Sequence, residues 1–98
     1  MSRVLSEVVD RRAGLITVRG HLTSSGADLV RGTADRLRDA GHARVVLDLR
    51  GVGAVDVDGL AVLRELHHDF RVDGGELLIR SGPGAEGVGF EPTMGVTP

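Results

Sequence analysis

The stretch ARVVLDLRGVGAVDVDGLAVLRELHHDFR, Ala43 to Arg71, decides the fold. Val45, Val46, Leu47 and Leu49 form a nearly continuous run of β-branched and aliphatic residues, the pattern of a strand covered on both faces in a parallel or mixed sheet. Gly51 and Gly53 then predict that the strand breaks into a loop. From Leu60 the apolar residues fall at Leu63, Leu66 and Phe70, with Val62 four residues before Leu66, so one wide stripe of a helix faces inward. Asp73-Gly74-Gly75 stops that helix. Two carboxylates, Asp56 and Asp58, stand where the loop feeds the positive end of the helix.

Upstream, Val4, Leu5, Val8 and Val9 predict a first strand at the sheet edge, and Asp10 to Gly14 a turn in which Gly14 takes positive φ. Leu15, Ile16, Thr17 and Val18 predict a second strand ending at Gly20, and the short DRRAG connection makes the pair an antiparallel hairpin. Thr23, Ser24 and Ser25 precede a helical pattern, and any of the three can accept a hydrogen bond from a free first-turn amide. Ala27, Val30, Ala34, Leu37 and Gly41 recur at three- and four-residue steps among charged residues, which makes this helix amphipathic. Gly32 inside it costs about 1 kcal/mol relative to Ala, and Gly41 suits the position just past its end. Downstream, Glu76 to Ile79 predicts a fourth strand. The order is β-β-α-β-α-β, and two right-handed crossovers put both helices on one face of a mixed sheet of four or five strands. From Gly82 the character changes: all three prolines and five of the fifteen glycines lie in the last seventeen residues. Residues 1–81 are therefore expected to form one small α/β domain, and 82–98 an irregular tail that docks through Phe90 and Met94.

A chain of 98 residues makes a single domain with a thin core, and with Phe70 and Phe90 its only aromatics that core must be aliphatic. A net charge of −2, with arginines interleaved among acids, argues against nucleic acid or an anionic membrane as partner. The absence of cysteine excludes disulfides, thiolate nucleophiles and Cys-type zinc sites. MSRVLSEVV lacks the apolar segment of a signal peptide, and no run approaches membrane-spanning length, so the expected compartment is the cytoplasm.

An aspartate in the first turn of a helix is ordinary capping and dipole chemistry, worth roughly 0.5–2 kcal/mol, which accounts for one of Asp56 and Asp58 but not readily for both. The segment VVLDLRGVGAVDVDGLAVLRELHHDFRVDGGELLI resembles the core of a STAS domain, the family of bacterial anti-sigma factor antagonists and of the cytoplasmic tails of sulfate transporters. The resemblance rests on Asp48, Asp56, Gly59-Leu60, Leu63 and Gly74-Gly75 taken together, and covers residues 45 to 79 closely. Residues 4 to 41 follow by pattern, including Gly20-His21-Leu22, which the resemblance places at the end of the second strand. In the antagonists of this family the residue just before the helix glycine is the serine or threonine that a partner kinase phosphorylates. Here that position is Asp58, and Val57 replaces the other hydroxyl. A second departure is the tail, where the family's closing helix should be.

The resemblance implies a non-enzymatic, protein-binding regulatory module without cofactor or metal, whose partner is a kinase-fold anti-sigma factor. Its expected docking surface comprises Thr23, Ser24 and Ser25, then Arg50, Asp56, Val57, Asp58, Gly59, Leu60 and Leu63. Arg50 is expected to pair with Asp56 or to meet the partner. Asp58, carrying one charge against about −1.5 to −2 for phosphoserine, is a partial and permanent imitation of the modified state. The alternative is a STAS module that binds a nucleotide, lipid or other small molecule, or a subunit of a transporter or signalling assembly. Asp56-Val57-Asp58-Gly59 also looks like the nucleophile motif of haloacid dehalogenase-type phosphatases, but those enzymes need a later lysine and this chain has none. His67 and His68 are about 100° apart on a helix and cannot face one metal, while His21 and His42 lie near element ends.

Overall fold

The computed structural model describes residues 5–81, and the elements run β1 (Ser6–Asp10), β2 (Leu15–Leu22), α1 (Ser24–Asp39), β3 (Arg44–Val55), α2 (Val57–Val72) and β4 (Glu76–Ser81). The four strands form one sheet in the order β1-β2-β3-β4. The hairpin pairs β1 with β2 antiparallel, and the two crossovers make β2–β3 and β3–β4 parallel. At the hairpin turn Asp10 Oδ1 accepts from the amides of Arg12 and Ala13, each at 3.1 Å, and Gly14 takes a φ of 67°. An aspartate bonding the amides ahead of it, followed by a glycine in the left-handed region, makes this connection tight. The expected tail docking through Phe90 and Met94 falls on residues outside those described.

One face of the sheet holds the core. Ile16 and Val18 of β2, Val45, Leu47 and Leu49 of β3 and Leu77 and Ile79 of β4 alternate along their strands and are buried together. Against them lie Ala27, Val30, Ala34 and Leu37 of α1 and Leu63, Leu66 and Phe70 of α2, the residues whose helical spacing predicted an inward stripe. Leu60 and Val62 flank that stripe, only partly buried. Arg38 of α1 lies over the Phe70 ring at 4.8 Å, a cation–π contact closing the far end of the helix pair.

Two strand ends correct the expectation. β3 does not break at Gly51 and Gly53 but runs on to Val55, and β2 passes Gly20 to reach Leu22. The two strands keep pairing through Gly20↔Val52 and Leu22↔Val55, with irregularities between Thr17 and Arg19 and between Gly20 and His21. Gly20 adopts a φ of 101° within this bulged stretch, and Gly51 leaves room for Arg19, whose Cγ lies 2.8 Å from where a Cβ would stand. These glycines let two parallel strands stay paired through bulges; they do not end them.

Candidate functional site

Because β2 and β3 end in register at Leu22 and Val55, the two helices that follow them open side by side at one end of the sheet. Thr23 caps α1: its Oγ1 accepts from the Gly26 amide at 3.2 Å, which singles it out among the three hydroxyl candidates. Asp56 occupies the corresponding position before α2. Its amide donates to the Leu22 carbonyl at 3.0 Å, and its carbonyl accepts the first helical bond from Leu60 at 2.9 Å.

Asp56 does not cap with its side chain. Its Oδ1 lies 2.7 Å from His21 Nε2 across the paired strand ends, with both side chains roughly half exposed. The first-turn amides of α2 are thus left without that carboxylate, and the acidic residue in the turn is Asp58. Asp58 is the second residue of α2 and is exposed, where the helix dipole favours a negative charge. Val57 beside it is 80% exposed, a large apolar side chain held out at the tip of a helix.

Gly59 explains how the two openings come so close. A Cβ there would stand 3.0 Å from the Leu22 carbonyl oxygen and 3.1 Å from that of Thr23, so the first turn of α2 rests directly on the β2–α1 junction. Thr23, Ser24 and Ser25 therefore share one rim with Asp56, Val57, Asp58 and Leu60. Within that rim Ser25 is exposed, whereas Gly59 and Leu63 are buried and support it from beneath.

Arg50 stands apart from this rim and does not pair with Asp56. On the sheet face away from the helices it forms a two-pronged contact with Asp48, Nη2 to Oδ2 at 2.8 Å and Nε to Oδ1 at 3.1 Å. The Arg50 hydrogen bonds hold the Asp48 carboxyl below its usual range against the opposing effect of burial. His21, which the sequence offered only as a residue near a strand end, is the side chain that ties β2 to the rim. Its role became visible only with the register, because it faces Asp56 only if β2 extends past Gly20.

Among the described residues no group of three or more His, Asp or Glu side chains converges as a metal ion requires, and no helix is long and apolar enough to cross a membrane. A hollow of about 510 Å³ lies at the opposite end of the sheet between α2 and β4, lined by Arg44, His67, Arg71 and Gly75 among others, and none of its described lining residues belongs to the rim.

A four-stranded mixed sheet with two helices on one face, presenting their paired N-termini at the strand ends, defines a small α/β module with one built rim. The chain belongs to the STAS domain family: the family model described as "Mlab, STAS domain" matches residues 6–86. Among curated proteins no significant match to the chain was found.

Proposed function

We propose that this STAS domain is a non-enzymatic protein-binding module of the anti-sigma factor antagonist type, and that the rim of Thr23–Ser25 and Asp56–Leu60 docks a kinase-fold anti-sigma factor. The observation that supports this most is Asp58: an exposed carboxylate on the first turn of α2, next to an exposed Val57 and the hydroxyl-rich start of α1. An apolar tip flanked by two carboxylates, Asp56 and Asp58, suits a partner surface that is apolar at its centre and basic at its edge. A Ser/Thr kinase has no hydroxyl to modify at position 58, so the charge there is permanent.

If Asp58 acts as phosphoserine does in the antagonists, it weakens docking. Asp58→Ser is then expected to bind the kinase-fold anti-sigma factor of the same genome at least tenfold more tightly in a calorimetric titration, and to become a substrate for it. Equal affinities of the two forms would remove Asp58 from the mechanism.

The same fixed charge favours one second reading, a constitutive subunit of a transporter or signalling assembly, in which the rim is a permanent joint rather than a switch. That reading expects a complex that survives gel filtration and is disrupted by Val57→Arg, with no dependence on nucleotide.

A further inference from the structure

Beside the rim, between the edge strand β1 and the start of α1, lies a hollow of about 390 Å³ lined by Leu5, Glu7, His21, Thr23, Ser25, Gly26 and Leu29. We propose that this hollow seats an arginine side chain of the docked partner, with Glu7 as its carboxylate receptor; the proposal rests on the docking reading above and deepens it.

The walls suit the stem of such a side chain. Leu29 is 56% exposed, and Leu5 lies over Gly26, with its Cδ2 2.8 Å from where a Cβ would stand. Together they offer an apolar slot at the lip of the hollow, which an arginine's methylenes would line while its head reaches inward.

The charge of the lining decides what kind of head. Among the described residues Glu7 is its carboxylate, and no arginine lines it. The one other ionisable group among the described lining residues, His21, is engaged with Asp56, which adds a second acid next to the mouth. Phosphate or a nucleotide would meet carboxylates there. Glu7 itself is incompletely satisfied: Oε1 accepts from the Thr33 hydroxyl at 3.1 Å, while Oε2 is buried with no hydrogen-bond partner among the described residues. Arg11 and Arg36 line the neighbouring hollow on the other side of Glu7, yet neither donates to that oxygen. Buried acceptors are ordinarily paired. A small rotation of Glu7, held at one oxygen only, would offer the free one to a guanidinium, whose planar fork matches a carboxylate better than an ammonium does. Among the described residues no aromatic side chain anchors this end of the molecule, because Phe70 is buried in the core. Where one side of an interface provides only a hole, the anchoring side chain comes from the other.

The test uses N-acetyl-arginine methylamide as probe, titrated into the ¹⁵N-labelled full chain and followed by amide shifts. Saturable shifts at Glu7, Ser25, Gly26 and Leu29 are expected, with no response to the neutral citrulline analogue and at least tenfold weaker binding to Glu7→Gln. Leu29→Ala, a change at an exposed wall, should also weaken the probe and serves if Glu7→Gln does not fold. Equal response to citrulline, or shifts of the same amides by inorganic phosphate in place of the arginine probe, would overturn the proposal. Val57→Arg, outside the hollow, separates it from the docking reading. Loss of anti-sigma factor binding in Val57→Arg but not in Glu7→Gln removes only the arginine seat, whereas binding unchanged in both removes the docking surface as well.

Discussion

A Cβ at position 59 would stand within 3.1 Å of two backbone carbonyl oxygens, and backbone cannot swing aside as a long side chain does. Gly59→Ala is therefore expected to lower stability by about 1–3 kcal/mol, the usual cost of overpacking, in urea denaturation, with amide shifts concentrated at Leu22 and Thr23. His67 is a second residue whose surroundings have a measurable consequence. Partial burial, helped by the nearby positive charges of Arg71 and His68, holds its imidazole below the ordinary value of 6.5. The folded state thus resists protonation more than the unfolded chain does, so the unfolded chain binds more protons as pH falls below about 6.5. Stability should be flat above that value and decline beneath it, and His67→Gln should reduce the decline in thermal melts between pH 7 and 5.

At the scale of elements the helices were legible and the strand ends were not. Ala27, Val30, Ala34 and Leu37, like Leu63, Leu66 and Phe70, repeat at a helical period that no other structure would bury on one side. Gly51 and Gly53 carry the opposite lesson: glycine in an apolar run usually marks a turn, yet here β2 supplies a paired neighbour that holds the chain extended. Gly32 of α1 can be improved, since a Cβ there would meet only Arg36 Nη1 at 3.8 Å. Gly32→Ala should stabilise the domain by about 0.5–1 kcal/mol, measured as a shift in urea midpoint at unchanged slope, because alanine loses less backbone freedom on folding.

For the whole molecule the thin core sets the limit. Among the described residues Phe70 is the largest fully buried side chain, packed among Val, Leu, Ile and Ala and roofed by Arg38. Phe70→Ala should cost about 3–5 kcal/mol, a large share of the roughly 5–15 kcal/mol by which domains are stable. Circular dichroism should show either a steeply lowered melting temperature or loss of the cooperative transition. The rim is at the opposite end of α2, so its geometry depends on this core being intact.

The sequence by itself determined the element order, the inward faces of both helices and the placing of a fixed anion, Asp58, at the start of α2, because periodicity and capping chemistry are local. Tertiary structure alone decided that Arg50 turns to Asp48 on the far face, that His21 meets Asp56, and that Glu7 borders a hollow beside the rim. Each of these depends on strand register, and one residue of slip in a strand moves every side chain to the other face.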